Sequence, residues 1–141
     1  MNFEQARTNM VLNQLRANRI KNSSLIEKIE LFPRENLYPK SYKHLAYSDK
    51  IIFLDDGRFI LPPLTSFHLL QALGEIDDES ILEIGSGFGT STSIINKFSS
   101  NIDCIESSMQ MTEVFKNSMK DGLFNASLLD CLLYTSPSPR D

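Results

Sequence analysis

Apolar residues recur at helical spacing near the start of the chain: Phe3, Ala6, Met10, Val11 and Leu15 share one face from Asn2 to about Arg19, with Asn, Gln and Arg opposite. That spacing predicts an amphipathic helix whose apolar stripe packs on a core. Asn22-Ser23-Ser24 followed by Glu27 is a capping-box signal, which starts a second helix carrying Leu25, Ile26, Ile29 and Phe32 until Pro33 ends it. Arg34 to Tyr42 reads as a loop with a turn of helix. Ile51–Leu54 and Phe59–Leu61 are apolar runs joined by Asp55-Asp56-Gly57-Arg58, the pattern of a β-hairpin. Pro62-Pro63 then opens a helix that places Phe67, Leu70 and Leu73 on one side and stops at Gly74.

From Ser80 the pattern changes to strand, helix, strand, helix, strand. Ser80–Ile84, Asn101–Glu106 and Ala126–Leu129 are the strands; Ser91–Phe98 and Met109–Lys120 are the helices. The fold class is therefore α/β: one βαβαβ half of a doubly wound parallel sheet, with the strands in spatial order third, second, first. A complete sheet of this kind continues on the far side of the first strand. That side is missing here, so the Ile81–Ile84 strand is expected to be an edge with apolar flanks. The 141-residue chain by itself is expected to be inactive or poorly folded.

Between the first of these strands and its helix lies Gly85-Ser86-Gly87-Phe88-Gly89. Glycine lacks Cβ, so the backbone can take positive φ and approach a ligand closely, while the next helix points unpaired N–H groups at the same spot. Such loops also simply connect a strand to a helix. A dinucleotide fingerprint would need glycine at position 90, where Thr90 stands. Glu83 ends the strand before the loop; a carboxylate there would repel a pyrophosphate but suits the ammonium and sulfonium charges of S-adenosylmethionine. Glu106 ends the second strand about twenty residues later, where a carboxylate can accept both ribose hydroxyls. The candidate cofactor-binding residues are thus Glu83, Gly85, Ser86, Gly87, Gly89 and Glu106.

The remaining polar residues read differently. His68 falls among apolar helix residues, as a structural histidine does, and His44 lies in a loop with a surface role. Tyr47 and Asp49 either line an acceptor site or position the hairpin. Thr90 and Ser91 either contact cofactor or cap the helix. The methionines after Ser108 are core filler.

Composition restricts the function classes. The net charge of -4 comes without any Lys/Arg block, which argues against nucleic acid as the main partner. No apolar run spans a bilayer, and the first residues lack a basic region followed by an apolar stretch, so neither a membrane nor a secretory route is expected. The two cysteines, Cys104 and Cys131, form no disulfide framework and no metal-ligand cluster; a cytoplasmic location without a metal follows. The final segment, 131–141, resembles one reading frame of a transposon-type sequencing adaptor and is set aside as a non-native tail.

Asn13-Gln14-Leu15-Arg16, Pro33-Arg34-Glu35 with Tyr38-Pro39, Ala46-Tyr47-Ser48-Asp49 and Leu82–Gly89, in that order, resemble the protein-L-isoaspartate O-methyltransferase family of class I methyltransferases. The glycine motif alone specifies the superfamily; the upstream segments point to the isoaspartyl group. The resemblance implies a Rossmann-like domain whose first half covers residues 74–130, preceded by a helical segment with a hairpin at 1–73. It implies that Glu83, Gly85, Gly87 and Gly89 hold the methionine end of S-adenosylmethionine and Glu106 its ribose. It further implies methyl transfer to the carboxylate of an isoaspartyl residue, the first step of protein repair. One position departs from the pattern: Leu61 stands where the family has the serine of a Thr-Ile-Ser-x-Pro segment. Leucine cannot hydrogen-bond a substrate carboxylate, which leaves open another methyl acceptor or a non-catalytic cofactor-binding module.

Overall fold

The structure is a computed structural model that describes residues 1–129; the tail assigned to 131–141 lies outside them. Helix α1, Phe3–Asn9, is capped by Asn2, whose side chain accepts from the Gln5 amide. The chain continues into a wider π-helical stretch, Met10–Leu15, and a tight last turn, Arg16–Asn18, so the single long helix read from the sequence is a composite. The widened stretch carries the apolar stripe inward: Met10, Val11 and Leu15 are all buried. Arg19 ends the segment in the left-handed region at φ 71°.

Helix α2, Ser23–Leu31, begins as expected, but its cap is Asn22, whose side chain accepts from the Leu25 amide; Glu27 is exposed. The link between the two helices is fixed by Gln71 of α3 (Pro63–Leu73). Its side-chain oxygen accepts from the amides of Lys21 and Asn22 at 2.7 and 3.1 Å, and its nitrogen donates to the Arg19 carbonyl at 3.1 Å. Three backbone groups left without helical partners are satisfied by one side chain. Helix α3 buries Phe67 and Leu70 as the spacing predicts, whereas Leu73 is exposed at its last position before Gly74.

The segment between α2 and the hairpin packs around two buried charged residues. Arg34 donates from Nε to the Ala46 carbonyl at 2.7 Å and from Nη2 to the Tyr38 hydroxyl at 2.8 Å, with its guanidinium near the Tyr38 and Phe67 rings. Glu35 accepts from the Tyr47 hydroxyl, and Arg7 lies 3.8 Å from the same carboxylate. Burial, then the bond to Glu35, pushes the Tyr47 hydroxyl well above the usual tyrosine range. Tyr47 is thereby committed to holding the N-terminal helix against the rest, and Asp49 is exposed.

The hairpin forms where expected, from β1 (Ile52–Phe53) and β2 (Phe59–Ile60), antiparallel with Ile52 opposite Ile60. The parallel sheet contains β3 (Ile81–Ile84), β4 (Ile102–Ile105) and β5 (Ser127–Leu129) in the order β3-β4-β5, which is the predicted arrangement. Helix α4, Thr92–Ile95, is shorter than the Ser91–Phe98 expected, and α5, Met109–Lys120, matches its prediction. Ile94, Ile95, Met111 and Phe115 are buried, joining the N-terminal helices in one apolar core. Among the described residues β3 pairs only with β4, and Leu82 and Ile84 are 56% and 73% exposed, so the edge read from the sequence is present.

Candidate functional site

The site is assembled where β3 and β4 end. Gly85, Gly87 and Gly89 take φ of 79°, 59° and 86°, a region that L-residues with a side chain rarely occupy, so the turn requires all three. Their surroundings differ. A Cβ on Gly85 or Gly87 would find only ordinary contacts with Arg58 or Met111, at 3.8 and 3.9 Å. A Cβ on Gly89 would lie 2.5 Å from the Phe124 ring. Gly85 and Gly87 therefore line the open side of the loop, whereas Gly89 lets its inner side close on the core.

The two acids expected from the sequence are brought to this loop, in unlike settings. The Glu106 side chain is 0% exposed. Its Oε2 accepts from the Gly87 amide at 2.8 Å and from Arg58 Nη2 at 3.2 Å; its Oε1 accepts from the Ser108 amide at 2.9 Å and from Arg58 Nη1 at 2.8 Å. Arg58 comes from the hairpin turn and gave no sequence signal, because nothing local links residue 58 to residue 106. The same turn is tied down by Asp56, which accepts from the Ser108 hydroxyl at 2.5 Å. That bond, with the Arg58 amide, holds the Asp56 carboxyl below the usual range.

Glu83 turns the other way. Its carboxylate accepts from the Thr92 hydroxyl and lies 3.9 Å from Cys104 Sγ, and both of those residues are fully buried. Burial is the main cause raising the Glu83 pKa to about 7, against which the Thr92 and Cys104 bonds act only in part. Burial and then the nearby Glu83 charge push the Cys104 thiol up to about 12, so Cys104 is an inert core residue.

The raised Glu83 pKa has a definite sign. An acid that holds its proton more tightly when folded favours the folded state below its unfolded value of 4.5. As pH rises from there through about 7, that contribution is lost and becomes a penalty. Glu83→Gln keeps an acceptor for Thr92 and carries no charge. Thermal unfolding at pH 5 should give closely similar midpoints for the two proteins. At pH 8 the Gln variant should melt higher, and equal midpoints at both pH values would show that the carboxylate is solvated.

Ser86 is 3% exposed and its Oγ has no hydrogen-bond partner among the described residues. A buried hydroxyl is costly to leave unpaired, and Ser86 does not line the cavity beside the loop. Gly85, Gly87, Thr90 and Ser91 line a shallow cavity of ≈ 90 Å³ with Arg58, Leu61 and Met111. Ser91 precedes α4 without capping it, so its hydroxyl is free for other work. A larger cavity of ≈ 240 Å³ lies between α2 and α3, but it is lined by Leu25, Leu70, Ile94 and Phe98 and lacks the glycine loop and both acids. The smaller one adjoins the glycine loop. His44 and His68 are both exposed and face neither cavity.

The residues fit the nucleoside cofactor suggested by the sequence: a backbone cradle open at Gly85 and Gly87 and a carboxylate of the kind that takes a vicinal diol. The sequence model of the family described as Protein-L-isoaspartate(D-aspartate) O-methyltransferase (PCMT) matches residues 6–125. A Protein-L-isoaspartate O-methyltransferase from Protochlamydia amoebophila is 27% identical over 82% of this chain and 55% of its own length. Protein-L-isoaspartate O-methyltransferase 2 from an Anaeromyxobacter species is 33% identical over 65% of this chain and 38% of its own. A solved structure titled protein-L-isoaspartate O-methyltransferase superposes with a TM-score of 0.69 at 21% identity, covering 88% of this chain and 41% of that one, which establishes the shared fold. The chain spans about half the length, or less, of these relatives.

Proposed function

The chain belongs to the protein-L-isoaspartate(D-aspartate) O-methyltransferase family, whose enzymes use S-adenosylmethionine, and from that premise we propose that the complete gene product transfers a methyl group to a carboxylate of a damaged protein. The observation that carries this reading is the Glu106 carboxylate seated on the Gly87 amide, which joins the glycine loop to the acid ending β4. Bound at this loop, S-adenosylmethionine supplies an electrophilic methyl group on a sulfonium.

The chain's own residues then have three tasks. Glu106 accepts the ribose hydroxyls, a pair of charge-assisted hydrogen bonds. The open sides of Gly85 and Gly87 let the backbone approach. Glu83, near the end of β3 and turned toward Thr92 and Cys104, ionises only where a cationic ligand comes close enough to offset its burial. No general base is required, because a carboxylate acceptor is already ionised at neutral pH and the transfer depends on positioning. The proposed substrates are isoaspartyl proteins or peptides, and the proposed location is the cytoplasm; no described helix is long and apolar enough to cross a membrane.

Leu61 favours a second reading. It lines the cavity where the family pattern has a serine, so position 61 itself offers an acceptor carboxylate no hydroxyl. A methyltransferase with a more apolar acceptor is the alternative. The complete gene product, given methyl-labelled S-adenosylmethionine, an isoaspartyl peptide and its aspartyl twin, separates the two. Label on the isoaspartyl peptide alone is the expected result. Cofactor binding without label on either peptide would leave the second reading.

A further inference from the structure

The four donors around Glu106 fill the roughly four acceptor positions of a carboxylate, so the ribose subsite has no free capacity in this conformation. Two of the donors, the Gly87 and Ser108 amides, belong to the loop backbones that build the site. The other two come from one side chain, Arg58, which is 35% exposed and reaches across from the hairpin. The cavity beside it, at ≈ 90 Å³, holds about three waters by liquid volume, well short of the 300 Å³ or more of typical small-molecule pockets. Volume and hydrogen bonding thus both require something to leave before a nucleoside enters, and Arg58 lines that cavity.

We propose that Arg58 is an internal competitor for the ribose subsite: its guanidinium occupies the two Glu106 positions that the ribose hydroxyls need, and it is displaced when cofactor binds. The inference rests on the cofactor reading given above. The geometry identifies what moves and what stays. Arg58 also donates from Nη1 to the Ser107 hydroxyl at 2.7 Å, a second bond lost on release. The backbone turn stays anchored, because Asp56 holds both the Ser108 hydroxyl and the Arg58 amide at 2.5 and 2.9 Å. Displacement is therefore a side-chain swing about a fixed turn. Arg58 lowers cofactor affinity, since each binding event must break a two-pronged guanidinium–carboxylate pair, and it shields an otherwise buried, uncompensated carboxylate when the site is empty.

Calorimetric titration of S-adenosylhomocysteine into the complete gene product tests this, with Arg58→Ala, Arg58→Gln and wild type compared and thermal unfolding recorded for each. Both variants should bind about tenfold more tightly than wild type, the scale of one partly exposed ion pair given up. They should at the same time melt lower, because Glu106 loses its partner. A residue with only a supporting role would lose affinity along with stability. Unchanged or weaker binding in both variants, with wild type still binding, overturns the competitor role and leaves the cofactor reading intact. Absence of binding by all three proteins overturns both.

Discussion

Gly89→Ala is expected to destabilise the fold by about 3 kcal/mol, the sum of a left-handed backbone cost of about 1–2 and an overpacking cost of about 1–3. The added methyl would sit 2.5 and 2.7 Å from two atoms of the Phe124 ring, at φ 86°. That ring cannot retreat. It packs edge-on against Phe115 with centroids 4.8 Å apart, and both rings are buried. Gly122→Ala is the matched control: φ is 75°, but nothing lies within 4 Å of the new Cβ, so only the backbone cost applies. Unfolding of the complete gene product should show a midpoint roughly 10 °C lower for Gly89→Ala and a drop of about half that for Gly122→Ala. Equal losses would mean that Phe124 yields and that Gly89 serves only the turn.

Glu106→Gln should produce the largest effect on cofactor binding. The amide replaces one acceptor oxygen by an NH₂ group, which then faces a backbone amide donor, Gly87 or Ser108, and a guanidinium. Two charge-assisted bonds to the ribose hydroxyls are lost or reduced to neutral strength, each worth about 1.5–3 kcal/mol before compensation. Release of Arg58 returns part of that. The expected outcome is S-adenosylhomocysteine affinity lower by about 30-fold, with a stability loss of about 2 kcal/mol from the unpaired donors. Near-wild-type affinity in a folded Glu106→Gln variant would remove Glu106 from the ribose subsite.

What the sequence revealed and what it hid follow one physical division. The strand order, the hairpin and the glycine loop were legible because short apolar runs, Asp-Gly turns and unbroken glycine spacing are local signals. Glu106 was legible because its distance from the loop is set by one strand-to-strand crossover. Arg58 was not, since its partner lies 48 positions away and its role depends on how the hairpin docks. Gly89 showed its glycine but not its reason: the clash partner, Phe124, follows α5 in a stretch with no motif of its own. Glu83 was placed correctly at the end of β3, yet the direction of its carboxylate, toward Thr92 and Cys104, depends on packing that no spacing encodes. At the start of the chain, an amphipathic stripe identified a helix but not the π-helical widening at Met10–Leu15, because both helix types keep neighbouring turns on one face. Leu73 was assigned to the buried side by period alone, whereas α3 ends there and leaves it 59% exposed.

The central claim is that the loop from Gly85 to Gly89, together with Glu106, is a nucleoside cofactor cradle. Amide chemical shifts of the complete gene product, followed by NMR as S-adenosylhomocysteine is added, test it residue by residue. The largest shifts are expected at Gly85, Ser86, Gly87 and Ser108, with the Arg58 side-chain resonances moving in step. Shifts concentrated instead at Leu25, Leu70 and Phe98, around the cavity between α2 and α3, would contradict it.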